Sequence, residues 1–239
     1  MESTYELSIV VPAYNEAKSL PSLIERYSKA KANIPFQLVI VDNGSRDETA
    51  DYLKKETKKK QNGFIKIVTV KKNIGYGYGI HQGLKACDGR LIGWSHADLQ
   101  CSPEDVFKGY NLFRKINKRK TLIKGNRKGR DWKPLVLTYG LSTYASLILL
   151  HIFDDINGQP KIFPRELLQT MKRPPLGFSY DLYIQYKALQ KGYKVRSFTV
   201  VFEQRMHGIS KWAHSIYSKL STIRSFFADV LRMRIGKIR

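Results

Sequence analysis

The run Gly93-Trp94-Ser95-His96-Ala97-Asp98-Leu99-Gln100-Cys101-Ser102-Pro103-Glu104 passes from apolar to polar within a few residues. Leu91, Ile92 and Trp94 carry the short apolar pattern of a buried strand. Ser102-Pro103-Glu104-Asp105 is a helix start, with a capping hydroxyl, a proline at the first helical position and two acids in the first turn. His96, Asp98 and Gln100 therefore fall just past a strand end, the edge at which open parallel sheets bind ligands. If the chain stays extended there, side chains two apart point the same way. That predicts one nitrogen and two oxygen ligands suited to Mn²⁺ or Mg²⁺. A plainer account stands beside it, in which Asp98 caps a turn and His96 packs.

Working outward, the same strand-then-polar-loop pattern recurs. Leu7 to Val11 is a nearly continuous apolar run that breaks at Pro12-Ala13-Tyr14-Asn15-Glu16, with a helix from about Ser19. Phe36 to Val41 ends in Asp42-Asn43-Gly44-Ser45-Arg46-Asp47, and Glu48 to Lys60 reads as helix. Ile65 to Val70 is a third strand, followed by the loop Asn73-Ile74-Gly75-Tyr76-Gly77-Tyr78-Gly79 and a helix near Ile80 to Ala86. Alternating strands and helices imply right-handed crossovers and a parallel sheet whose carboxyl ends line one crevice. The glycine loop is no dinucleotide fingerprint, because it follows the third strand and lacks the GxGxxG spacing.

A chain of 239 residues, 42% hydrophobic, is long enough for one good core or two small ones, and one main domain plus an appendage is expected. A formal charge of +22 points to a polyanionic partner: nucleic acid, anionic lipid or phosphorylated substrates. The amino terminus lacks the basic flank and apolar core of a signal peptide, so a cytosolic protein is expected, with Cys87 and Cys101 reduced and packed. Nucleic-acid binding would account for the charge and for Tyr76, Tyr78 and Trp132. It leaves the ordered strand-end motifs without a role, and no helix-turn-helix, zinc or sheet-platform pattern is found.

Taken together, Ser8 to Glu16, Val41-Asp42-Asn43-Gly44-Ser45-x-Asp47-x-Thr49, Asn73-x-Gly75 and Ala97-Asp98-Leu99-Gln100 resemble family 2 glycosyltransferases. The nearest resemblance is to the dolichol-phosphate mannose synthase and polyprenyl-phosphate sugar transferase branch. Gly125-Asn126-Arg127, Asp155-Ile156-Asn157-Gly158-Gln159-Pro160-Lys161 and Arg205-x-x-Gly208-x-Ser210-Lys211 extend it, in order, to residue 211. The resemblance implies an α/β GT-A fold: a Rossmann-like, mixed but mainly parallel sheet flanked by helices, with residues 1–211 catalytic. Two positions depart from the family pattern. Asn43 stands where a second acid is usual, and His96-x-Asp98 stands in place of an Asp-x-Asp pair.

The resemblance also implies roles. Pro12, Ala13, Tyr14, Asn15, Glu16, Asp42, Asn43, Asn73 and Ala97 would surround the nucleotide of a nucleoside diphosphate sugar. His96, Asp98 and Gln100 would hold a divalent cation, Mn²⁺ or Mg²⁺, on its diphosphate, easing departure of the leaving group. Arg127, Arg205 and Lys211 would bind phosphate oxygens. Asp155, Gln159, Lys161 and Ser210 would lie on the acceptor side. The acceptor expected is a polyprenyl phosphate, anionic without help, and attack would invert the anomeric carbon. A sugar hydroxyl would instead need a base, for which Asp181 and Asp155 are the candidates.

Two further segments point to a membrane. Leu135 to Phe153 carries no Lys, Arg or Glu before Phe153, yet its polar residues make it a core or membrane-surface helix rather than a span. Beside it lies a basic cluster from Arg114 to Lys133. Residues 212–239 read as an amphipathic helix with Trp212, Ile216, Leu220, Ile223, Phe227 and Val230 on one face, a pattern that usually docks on a core but that, with Arg224, Arg232, Arg234, Lys237 and Arg239, also suits a membrane surface. Peripheral attachment to the cytosolic face of an anionic membrane is the expectation.

Overall fold

The computed structural model describes residues 4–129, 132–203 and 216–238. Strands β1 (Leu7–Ala13) and β2 (Phe36–Asp42) are buried along almost their whole length, which is why neither alternates in sequence. With β3 (Ile65–Thr69), β4 (Leu91–Trp94), β5 (Thr121–Lys128), β6 (Lys161–Pro164) and β7 (Lys194–Val201) they form one sheet in the order β3-β2-β1-β4-β6-β5-β7. All neighbouring pairs are parallel except those of β6, which runs antiparallel to both β4 and β5. The direction of strand addition reverses between β1 and β4, so the loops that follow these two strands are where such a sheet is expected to bind a ligand.

Helices cover both faces. One layer packs α1 (Leu20–Ala30), α2 (Thr49–Glu56) and α4 (Pro103–Ile116) against Leu7, Ile9, Val11, Leu38 and Ile40. The other packs α3 (Tyr76–Lys85), α5 (Trp132–Leu149), α6 (Tyr180–Gln190) and α7 (Ile216–Arg234) over Val10, Val39, Val41, Ile92 and Trp94. Residues that alternate along β1 and β2 thus go to opposite layers. The helix start at Ser102 forms as its sequence predicts, with the Ser102 hydroxyl accepting the Glu104 amide at 3.2 Å.

Helix α3 begins at Tyr76, four residues before the expected start. Its glycines read as a loop because each costs a helix about 1 kcal/mol, but here they admit close neighbours. A side chain at Gly75, whose φ is +149°, would collide with the Leu176 carbonyl, and one at Gly83 would meet Val41 at 2.7 Å and Val10 closer still. The helix after β2 ends at Glu56 rather than continuing to Lys60, with a short 3₁₀ turn at Lys60–Asn62.

Helix α7 closes the second layer with Phe226, Val230 and Met233, and Phe227 meets Tyr144 of α5 edge-on at 4.4 Å. Its Asp229 accepts from the Ser179 hydroxyl at the head of α6. Leu220, placed by the sequence on the same face as Val230, is 60% exposed. The outer sides of α5 and α7 expose Val136, Tyr139, Leu147, Leu150, Tyr217 and Leu231.

His81 of α3 is buried, with Nδ1 3.1 Å from the Tyr180 hydroxyl, and burial together with Lys85 pushes its pKa down to about 4. The unfolded chain takes up this proton near pH 6.5 while the folded protein refuses it until about pH 4. Stability contributed here is therefore complete above pH 6.5 and lost as pH falls toward 4. At 1.36 kcal/mol per unit the loss is bounded by about 3 kcal/mol, and solvent screening of a partly hydrated ring brings it below that. Urea unfolding between pH 4 and 7 should show this slope, and His81→Gln should flatten it.

Candidate active site

The loops after β1, β2 and β3 are stitched together by short polar side chains. Asn15, at φ +55°, accepts the Arg46 amide through Oδ1 at 2.9 Å and donates its own amide to the Ser45 hydroxyl at 3.1 Å. The Glu16 amide donates to Thr49 Oγ1 at 3.0 Å, and the Ala17 amide to Asp47 at 3.4 Å. Asp42 ends β2 buried, and its Oδ1 accepts the Ser45 amide at 2.9 Å, so it forms the turn whatever else it binds. Asn43 reaches the Gly75 carbonyl through Nδ2 at 3.3 Å while its buried Oδ1 has no hydrogen-bond partner among the described residues. Asn73 accepts the Gly75 amide at 3.2 Å. Pro12, Ala13 and Tyr14 complete this wall at the end of β1.

Past β4 the extended alternation does not continue. The backbone bends over residues 97–101, and Leu99 adopts a left-handed conformation at φ +59°, unusual for a large side chain. Asp98 Oδ1 accepts the Gln100 amide at 3.2 Å, closing a tight turn. Gln100 donates its side-chain amide to the Glu203 carbonyl at 3.3 Å, so the expected straight row of three side chains is broken after Asp98, with Ala97 buried between His96 and Asp98. Burial holds the His96 pKa below its ordinary value, and Arg127 and Lys161 reinforce this against the pull of Asp98 and Asp181. Its ring is neutral at pH 7 and can donate a lone pair. Among the described residues no group of three His, Cys, Asp or Glu side chains forms a cation site. One imidazole and one half-exposed carboxylate still suit Mn²⁺ or Mg²⁺, which complete their shells with water and substrate phosphates.

The opposite wall is built from buried ion pairs. Lys161, at the start of β6, and Asp181, in the first turn of α6, are both fully buried and paired directly. Gln159 Nε2 adds a hydrogen bond to Asp181 at 2.6 Å, and the Lys161 ammonium also donates to the Gly158 carbonyl at 2.8 Å. Burial pulls the Lys161 pKa down against the stabilising pull of Asp181. Arg127 grips Asp155 through Nε at 3.1 Å and Nη2 at 2.5 Å, and its backbone amide donates to the same carboxylate at 2.8 Å. Lys124, fully buried, holds Asp154 at 2.9 Å. Arg127, expected on a substrate phosphate, is thus committed to Asp155, because a bidentate partner lies within reach on the neighbouring loop. Arg205, Ser210 and Lys211 lie outside the described residues.

Several members of this wall escape the sequence. Tyr76 stacks between His96, at 6.0 Å, and Phe178, at 5.2 Å, and its hydroxyl lies 3.4 Å from Gln159 Nε2. It connects the His96 pair to the Lys161–Asp181 pair. The available signal was the alternation of tyrosine with glycine at a helix start, which reads more readily as loop. Lys124 and Asp154 carry no comparable signal.

Residues 8–168 match the model of glycosyl transferase family 2. The chain belongs to that family. It is 31% identical over 129 residues to undecaprenyl-phosphate 4-deoxy-4-formamido-L-arabinose transferase of Pseudomonas syringae, a match covering 53% of this chain and 38% of the relative. It is 33% identical over 218 residues to dodecaprenyl-phosphate galacturonate synthase of Rhizobium johnstonii, covering 88% of this chain and 62% of the relative. The chain thus spans between about a third and two thirds of these relatives' length. The sheet and its helices superimpose on glucosyl-3-phosphoglycerate synthase of Mycobacterium tuberculosis, crystallised with Mn²⁺, UDP-glucose and glycerol 3-phosphate. The TM-score is 0.72 at 18% identity, over 97% of this chain and 80% of that one. A mannosyltransferase of Pyrobaculum calidifontis, in complex with GDP-mannose and Mn²⁺, gives 0.67 at 18% identity, over 95% and 64%. The architecture is the mixed, mainly parallel GT-A fold.

Proposed function

We propose that this family 2 protein transfers a sugar from a nucleoside diphosphate sugar to a polyprenyl phosphate. The observation that carries the acceptor is the state of the two carboxylates available as base. Asp181 is held by Lys161 and Gln159, and Asp155 by Arg127. A hydroxyl acceptor needs a carboxylate free to take its proton, whereas a phosphate monoester arrives as an anion. One phosphate oxygen bonds to the anomeric carbon as the bond to the nucleoside diphosphate breaks, the electron pair leaves with that group, and the configuration inverts. No proton need be removed. The two relatives named for undecaprenyl and dodecaprenyl phosphate support this choice.

On the donor side, Asp42, Asn43, Asn73 and the Pro12 to Glu16 turn bind the nucleoside, the unpartnered Asn43 oxygen accepting from it. His96 and Asp98 hold a divalent cation, which when bound supplies Lewis-acid stabilisation of the departing diphosphate. Arg205 and Lys211 bind phosphate oxygens. Among the described residues no helix is long and apolar enough to cross a membrane. The exposed apolar sides of α5 and α7, among them Val136, Leu147, Leu150 and Tyr217, rest on an anionic cytosolic membrane surface, with Arg224, Arg232 and Arg234 at its headgroups. The segment after residue 211 serves this face while also closing the core.

Labelled UDP- and GDP-sugars, offered with a short-chain polyprenyl phosphate, the matching polyprenol or a lipid-linked saccharide, test the reading. Transfer to the phosphate and none to the alcohol is expected. Transfer to the saccharide alone would overturn it.

A further inference from the structure

A cleft of about 370 Å³ opens at the end of the sheet opposite the strand-end loops, where β4 begins and β6 ends. Arg90, Arg114, Lys118, Arg119 and Arg165 line it, against a single carboxylate, Glu166. They come from three places in the chain: the residue before β4, the end of α4 with the turn after it, and the residue after β6. Lysine and arginine at the end of α4 suit a helix carboxyl terminus on their own. That leaves Arg90 and Arg165 unexplained. They occupy facing positions one step beyond the Leu91 and Pro164 pair, and the Arg165 amide donates to the Arg90 carbonyl at 3.0 Å. Like charges facing each other across paired strands destabilise a sheet.

The carboxylates nearby do not neutralise the group. Arg90 pairs with Glu6 at 2.9 Å, and Arg119 reaches Glu166 only at 3.7 Å. Arg114, Lys118 and Arg165 form no ion pair with a carboxylate within 4 Å among the described residues, and Asp88, which Arg165 helps to hold below its ordinary pKa, is already paired with Lys66. A cleft of this volume falls in the range of small-molecule sites, and guanidinium forks match phosphate oxygens two at a time. Five cations exceed what one phosphate can engage, and Phe113 and Pro164 add uncharged surface to the lining.

We propose that this basic cleft binds a compact oligophosphate, a small molecule carrying a pyrophosphate or triphosphate group, separately from the donor site and whatever the reaction there. The full chain, in buffer containing EDTA, is titrated calorimetrically with inorganic tripolyphosphate, pyrophosphate and orthophosphate. Affinity is expected to rise with the number of phosphates and to fall with salt. Arg114→Ser or Arg165→Ser, both at exposed positions, should each weaken tripolyphosphate binding about tenfold or more. Asp98→Asn should leave it unchanged. Absence of binding, equal affinity in the cleft variants, or loss in Asp98→Asn would each overturn the proposal. Sedimentation with phosphatidylglycerol vesicles separates the remaining source of phosphate: if the cleft variants lose vesicle binding and keep tripolyphosphate affinity, the cleft takes lipid headgroups and the proposal fails.

Discussion

Asp98→Asn should lower sugar transfer roughly a thousandfold or more, because losing about 4 kcal/mol of leaving-group stabilisation corresponds to three powers of ten. Asparagine keeps an oxygen for the Gln100 amide, so the turn after β4 survives and the thermal midpoint should move by less than about 3 °C. Nucleoside diphosphate affinity, measured with and without Mn²⁺, should lose its dependence on the metal. Unchanged turnover would remove His96 and Asp98 from cation binding and with them the reading of this edge as the donor site. The same variant leaves the acceptor wall untouched, so acceptor affinity should persist.

The second large effect is on stability. Lys161→Met leaves Asp181 buried with only the neutral partners Gln159 and the Tyr76 hydroxyl among the described residues, and breaking such a pair costs about 3–5 kcal/mol. Asp181→Asn should cost less, since it keeps an oxygen for Gln159, and Lys161, whose pKa burial already lowers, can shed its proton. The double variant should then be more stable than Lys161→Met alone. Urea unfolding of the four proteins completes the cycle. A loss below about 1 kcal/mol in Lys161→Met would show that Asp181 is not a buried charge in need of this partner and would return it to the candidates for a base.

The strands of the first half were legible because burial on both faces removes ambiguity: Leu7 to Val11 and Phe36 to Val41 can be little else. Strand ends were legible too, and with them His96, Asp98, Asp42 and Asn43. The side-chain directions beyond those ends were not. Leu99 turns left-handed against the preference of its own residue type, with its side chain buried, and the extended alternation assumed for Gln100 ends there. The pairing of Arg127 with Asp155, and of Lys161 with Asp181, joins residues 28 and 20 positions apart whose spacing reveals nothing. Sequence shows that charges are present and leaves open which of them are spent on one another.

Strand β6 has a consequence for how the molecule is made. It lies between β4 and β5, both of which precede it in the chain, and pairs with each. The order β3-β2-β1-β4 can assemble once residue 94 has emerged, yet β4 then presents an open edge until residues 161–164 arrive. The β5–β7 ribbon cannot join the first half without those four residues. With β7 later still in the chain, the sheet closes outward from this short splint, which places the slow, aggregation-exposed stage of folding at the middle of the sheet rather than at its margins.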